Sequence, residues 1–501
     1  MPLQAPPDAL HLTILSNAIA PWLGGASAAK RGALAANPPA IADWYSTITD
    51  LQHEKLKRLN GEAWTTQNRV DQAFSVIKSP EDFGAELLQK ALKDEFDLDA
   101  NVRTTYLQLY IPLTLAGITV KPGAARTWSV SLLDAALHNF EAAEATDGAY
   151  ERNSGFTTAP SATGQFVSLP GFDEKISVVQ FTTLCRRLDI GGQYQRYLDQ
   201  ALNLDNPVAR TALQYWLKQS HLAALKLALF MAVLNKDLPT DHYLRLLNLI
   251  NQDHPGHSDC PHVLGHDLFI MGCRLTGIVL FAQDLQASRG VEPVVAYIPD
   301  DPEHPIKYYA SSAQFSQALA TKLRSTDYQR FFSRFVRHAD AGVFFANLNQ
   351  RLSQVEWHPH TVGDPRPSWR DTPVSRPKLQ LSSEKIDSGL FEHLFEMKLS
   401  KLLDDARSRA VSTATANQKT RWARWALLQT IGEALLQAIA FVAMPFIPPL
   451  GALMLAYTAY QVLDEAFEGV IEWAEGLQRE ALGHALGLME QLVQLGLFAT
   501  G

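Results

Sequence analysis

Cysteine is scarce in this 501-residue chain: Cys185, Cys260 and Cys273 are the whole complement, an odd count with no regular spacing. That excludes a disulfide framework as the source of stability. Excess positive charge is missing too. Forty-four Lys and Arg face 52 Asp and Glu, for a net charge of -8, and the basic residues form no strong cluster. A nucleic-acid-binding role, which needs a basic face, is thereby disfavoured. No Gly-rich phosphate loop is present, since Gly191-Gly192 in DIGGQYQ is too short a signal. The N-terminus carries Ala26-Ser27-Ala28 but no basic residue before Lys30, the wrong start for a secretory signal peptide.

What is present is globular. Hydrophobic residues make up 47% and charged residues 19%, outside the disordered and multi-span membrane classes. A chain of this length buries a large core and divides into two to four domains. The periodicity predicts an α+β fold, predominantly α-helical. Residues 1–100 read as a helical region. Ala42, Tyr45, Ile48, Leu51, Leu56 and Leu59 fall near helical spacing, and Ser79-Pro80-Glu81-Asp82 has the cap, proline and first-turn acids of a helix start. Residues 101–350 read as central helices with a small antiparallel sheet. Leu107, Leu109 and Ile111 alternate with Tyr106, Gln108 and Tyr110, a second short strand is expected near Trp128, and TGIVLF (276–281) and VEPVVAYIP (291–299) read as a strand pair. Residues 147–173 read as a long surface loop, and the aromatic stripe over 327–350 as core. Five prolines from Pro359 to Pro377 predict a linker over 351–385, and 386–501 reads as a further helical region.

One long hydrophobic run dominates that last region. Between Glu433 and Asp464 there is no charged side chain. Pro445, Pro448 and Pro449 break the run, so 434–463 reads as a helical hairpin with Phe441 and Met444 on one arm and Leu453 and Leu455 on the other. Each arm alone is short of the roughly 20 residues that span a bilayer. Glu433, Asp464, Glu465, Glu468 and Glu472 form an acidic flank, whose protonation would lower the cost of leaving water. Two readings stay open: a buried hairpin that also enters membranes, and an ordinary core hairpin.

Chemistry is thinly marked. His254, His257, Cys260, His262 and His266, with Asp253, Asp259 and Asp267 interleaved, are permissive for zinc. Their spacing matches no established zinc motif, so no metal or cofactor is expected. Cys260, His262 and His266 are the weak candidates for a Cys/His nucleophile, though nothing supplies an orienting carboxylate or an oxyanion hole. Cys185 and Cys273 lie in apolar surroundings, where thiols are usually inert.

The segments WSVSLLDAALHNFE (128–141), FTTLCRRLDIGGQYQRYL (181–198), MGCRLTGIVLFAQDL (271–285), VVAYIPDDPEHPIKYYASSAQF (294–315) and YQRFFSRFV (328–336) resemble the N-terminal domain of bacterial dermonecrotic-toxin-like proteins. PWLGGASAAKRGAL and the hydrophobic 420–475 region are similar to that family as well. The resemblance carries no assigned catalytic residue. It implies a toxin or effector, secreted or injected without a standard signal peptide, in which this region precedes the payload. Partners implied are a host membrane and, further, a host receptor or delivery machinery, with no nucleic acid. Two expectations follow: a non-enzymatic delivery module working through the 434–463 hairpin, and a toxic enzyme using the Cys260, His262 and His266 loop.

Overall fold

The computed structural model describes residues 21–36, 44–112, 114–115, 118–119, 125–161, 163–252, 263–283, 285, 292–357, 369–416, 457–459 and 461. Among the described residues, a helical turn at Pro21–Gly24 precedes α1 (Ala28–Ala36) and the long α2 (Asp50–Phe74). Of the helical spacing read from Ala42 to Leu59, Ala42 lies outside the described residues and Tyr45–Thr47 make a single helical turn, before Thr49 and Gln52 form the reciprocal capping box that starts α2 at Asp50. At α3 (Pro80–Phe96) the Ser79 side chain accepts from the Asp82 amide and Pro80 occupies the first turn, as its residues predict. β1 (Thr105–Pro112) and β2 (Ala125–Ser131) follow, then α4 (Leu132–His138). The stretch expected as one long loop holds β3 (Gly155–Thr158) and a helical turn at Pro170–Asp173. Strands β2-β1-β3 form an antiparallel sheet, with Leu107 opposite Val130 and Leu109 opposite Trp128.

Four helices then run in series: α5 (Val178–Leu188), α6 (Ile190–Leu202), α7 (Pro207–Leu234) and α8 (Thr240–Gln252). Next come β4 (Leu264–Ile270), β5 (Cys273–Ala282), β6 (Val294–Tyr297) and β7 (Ile306–Tyr309), followed by α9 (Ser312–Lys322), α10 (Thr326–Phe332) and α11 (His338–Leu352). The 351–385 stretch, expected as a linker, carries β8 (Ser353–Trp357), β9 (Trp369–Pro373) and β10 (Leu381–Lys385). β8 and β9 pair with each other, while β10 closes one edge of a five-stranded sheet in the order β10-β4-β5-β6-β7. Backbone pairing to β4 explains how so polar a segment as LSSEK holds an ordered strand.

Last among these elements is α12 (Leu390–Arg409). Its apolar residues join two cores. Phe395, Leu399, Leu402 and Ala406 pack with α3 to α6 and the three-stranded sheet. Phe391 and Leu394 pack with α7, α8 and one face of the larger sheet. The other face of that sheet is covered by α9, α10 and α11, where Phe332, Phe344 and Phe345 are buried as the aromatic stripe predicts. The result is an α+β fold, predominantly helical, with small antiparallel sheets. α12 is the rod on which both halves are hung.

Candidate functional site

A helix buried on most sides should be apolar on most sides, yet α12 carries charge along its length. Each charged turn meets a different element. His393 Nε2 lies 2.9 Å from Asp267 Oδ1 on β4, and Arg274 of β5 approaches the same carboxylate at 3.6 Å while also pairing with Glu384 of β10. Glu396 accepts from Arg210 of α7 at 2.6 Å. Lys398 faces His221 of α7, and burial lowers its ammonium to about 8, with Asp300 opposing the shift and Arg334 adding to it. Lys401 and Asp405 form a buried ion pair at the start of α11. Arg409 pairs with Glu81 of α3.

Two of these turns contain imidazoles held neutral. His221 is lowered well below its ordinary 6.5 by burial and by Lys398, and its Nε2 is buried without a hydrogen bond. His338, the first residue of α11, is lowered to about 4 by burial and by Lys401. Its backbone N–H donates to Asp405 Oδ1 at 2.7 Å, and its Nδ1 lies 3.2 Å from Ser408 Oγ.

Beyond α12 the chain is fastened to the first core. The Val411 amide donates to the Leu137 carbonyl at 2.8 Å, Asn139 Nδ2 donates to Val411 O at 3.1 Å, and the Thr413 amide donates to Asp189 Oδ1 at 2.7 Å. This backbone crosses α6 so closely at Gly191 that a Cβ there would collide with Ala410, Val411 and Ser412. The Gly191-Gly192 pair is therefore a crossing point, which its brevity as a phosphate signal left unexplained. Sequence alone has no means of pairing it with residues more than two hundred positions away.

Residues 417–456 lie outside the described residues, and with them Glu433, Phe441, Met444, Pro445, Pro448, Pro449, Leu453 and Leu455 of the hairpin. Asp464, Glu465, Glu468 and Glu472 lie outside as well. Tyr457, Thr458, Ala459 and Gln461, from the end of the second arm, are described and helical. They dock on α2. Thr458 and Ala459 are fully buried, and Thr458 and Gln461, three residues apart on one helical face, meet polar partners. Asn60 Nδ2 donates to Gln461 Oε1 at 2.6 Å, Trp64 Nε1 donates to Thr458 Oγ1 at 3.1 Å, and Tyr45 packs its ring 5.9 Å from that of Tyr457. Trp64 is backed in turn by Trp22 at 5.0 Å. Asn60 and Trp64 were absent from the candidates because nothing local in LKRLNGEAW distinguishes a polar latch from a solvated face.

Of the Cys/His candidates, Cys260 and His262 lie outside the described residues. His266 is inside β4 with no exposure, opposite Leu280 of β5 and Lys385 of β10. The loop expected to hold it, on the strength of Pro255, Gly256 and Pro261, has given way to strand by Leu264, where Asp267 is matched by His393 and Arg274. Burial pushes the Cys185 thiol up, and the Cys273 thiol up to about 11. Among the described residues no group of three His, Cys, Asp or Glu side chains could hold a metal ion.

Helix α7 is long and apolar enough to cross a membrane, with 61% of its most apolar window buried, which is equally the mark of a core helix. The class these features define is a helical α+β module whose polar contacts fasten elements together. Residues 74–339 match the dermonecrotic toxin N-terminal domain, so the chain belongs to that toxin family. All five distinctive segments from 128 to 336 fall within the match, while PWLGGASAAKRGAL and 420–475 lie outside it. No curated protein matches the chain.

Proposed function

We propose that this chain is the non-enzymatic delivery module of a secreted or injected toxin, and that its 434–463 hairpin associates with or crosses a host membrane when the surroundings turn acidic. The observation that carries this reading is the bracketing of the uncharged run by polar fastenings. Upstream stand the charged turns of α12 and the Val411–Thr413 seat; at the far end of the run itself Thr458 and Gln461 rest on Asn60 and Trp64. An ordinary core hairpin is secured by apolar packing, whose strength scarcely changes with pH. Contacts made to a carboxylate, such as Lys401 to Asp405 and the Thr413 amide to Asp189, weaken when that carboxylate takes up a proton, while the neutral bonds of Asn60 and Trp64 are open to competition from lipid headgroups. The acidic flank from Glu433 to Glu472 supplies the second half of the trigger, because neutral carboxyls enter a bilayer at far lower cost than carboxylates.

The test is leakage from anionic lipid vesicles between pH 7.4 and 5 with the full chain. Leakage is expected to rise on acidification and to fall when Ala440→Asp or Leu455→Asp places a charge in either arm. Leakage that ignores pH, or ignores both substitutions, overturns the reading. The enzymatic alternative around Cys260, His262 and His266 gains nothing from His266, which is sealed in β4.

A further inference from the structure

The step from acid to release needs a group that binds a proton more readily once α12 has come away than while it is held, and α12 is gripped by one. His338 sits at the first position of α11, where free backbone amides and the helix dipole oppose any added positive charge. Arg337, the residue before it, makes no side-chain cap. The cap comes instead from α12, through the 2.7 Å bond from the His338 amide to Asp405 Oδ1. One turn along, Ser408 Oγ contacts His338 Nδ1 at 3.2 Å and the Asp405 carbonyl at 3.0 Å, so its single proton serves one of them at a time.

The charges around the ring are already matched. From α12, Lys401 pairs with Asp405, and Asp404 pairs with Arg407 at 3.1 Å. From α11 and its entry, Arg337 pairs with Asp340 at 2.7 Å and reaches Asp404 at 3.9 Å. From β5, Cys273 stands near Asp340, Arg337 and Lys401. Each carboxylate in this set has a cation, and the cation that bears on the imidazole is Lys401.

We propose that His338 is an acid-operated catch between α11 and α12: neutral, its ring stays buried against Ser408 of α12; protonated, it sets a second cation beside Lys401 and against the α11 N-terminus, and α12 comes free. The sign follows from burial. The closed form binds the proton only near pH 4, while an opened His338 binds it at the ordinary 6.5. The contact is therefore complete above 6.5 and weakens as pH falls toward 4. Between pH 7.4 and 5 the opened fraction should rise about 25-fold from this one group. Because α12 carries the upstream fastening of the hairpin, opening it would arm the hairpin before the flanking carboxylates titrate. That consequence rests on the delivery reading; the catch does not.

The experiment is hydrogen exchange of the full chain at pH 7.4 and 5, corrected for intrinsic exchange, on wild type and His338→Gln, with vesicle leakage measured on the same samples. The ratio of α11 and α12 opening at the two pH values is read within each protein, so any general destabilisation by the substitution cancels. Wild type should show the rise of about 25-fold, and His338→Gln should lose most of it. An equal ratio in both proteins overturns the catch, and leakage that still rises with acid would then leave the delivery reading standing. A ratio that collapses in His338→Gln, with no leakage from either protein, supports the catch and sinks the delivery reading. Should the variant fail to fold, NMR titration of the His338 ring in wild type decides the matter. A midpoint near 4 supports the catch, and one near 6.5 overturns it.

Discussion

Replacing Asn60 with alanine tests the downstream fastening where it is most exposed to a single atom. The Asn60 amide is fully buried and donates to Gln461 Oε1 at 2.6 Å and to Thr458 Oγ1 at 3.3 Å. Its removal hurts the two acceptors unequally. Thr458 keeps the Trp64 indole at 3.1 Å, whereas Gln461 loses its short bond in a site water does not reach. Losing a buried partner costs about 1–3 kcal/mol, so about 2 kcal/mol should be lost from docking of the arm, or roughly a 30-fold rise in its undocked fraction. Trp64→Phe removes the indole donor and, with it, part of the buried ring that packs on Trp22, while Asn60 still serves Thr458. Loss of the donor alone should cost less than loss of the Asn60 amide, about 0.5–1.5 kcal/mol, with the vacated ring volume adding to it. Hydrogen exchange at residues 457–461 reads docking directly, and vesicle leakage against pH reads its consequence. Asn60→Ala should raise exchange and move half-maximal leakage to higher pH. If Asn60→Ala changes neither quantity, the polar latch is not what holds the arm.

Other perturbations bear on the rest of the frame. Gly191→Ala forces a Cβ into the Ala410–Ser412 backbone and should cost about 1–3 kcal/mol in urea unfolding, against a negligible change if the crossing is slack. Asp405→Asn strands the buried Lys401 ammonium and should cost about 3–5 kcal/mol, far more than Glu396→Gln, whose partner Arg210 is half-exposed; equal losses would contradict the burial argument. In the native protein at pH 8, Cys185 should resist alkylation for as long as the fold persists, since burial pushes its thiol up; labelling at the rate of a free thiol would show that the first core opens readily. Cys260→Ala and His262→Ala should leave vesicle leakage unchanged. If either abolishes the toxicity of a folded protein, the enzymatic alternative replaces the delivery reading.

Much of the architecture was readable in the chain because its signals are local. Ser79-Pro80 caps α3, Leu107 and Leu109 alternate into one core, and the aromatic stripe from Tyr328 to Phe345 turns inward. What escaped reading depends on partners far away in sequence. β4 was missed beside the Pro255, Gly256 and Pro261 loop, since the partner that matches its Asp267, His393, lies 126 residues on. β10 looked like linker because LSSEK is held by backbone pairing to β4, which leaves its side chains free to be polar. The stretch holding α12 was legible as helical, yet nothing local showed that its charged turns meet Asp267, Arg210, His338 and Glu81. The same holds for Asn60 and Trp64, whose partners lie nearly four hundred residues downstream.

The central claim is that the second arm leaves α2 for lipid under acid. Hydrogen exchange of the full chain at pH 5, with and without anionic vesicles, measures it most directly. With vesicles present, α2 around Asn60 and Trp64 should lose protection while residues 434–461 gain it. Leakage that proceeds while α2 stays as protected as at pH 7.4 would mean that the arm never left its seat.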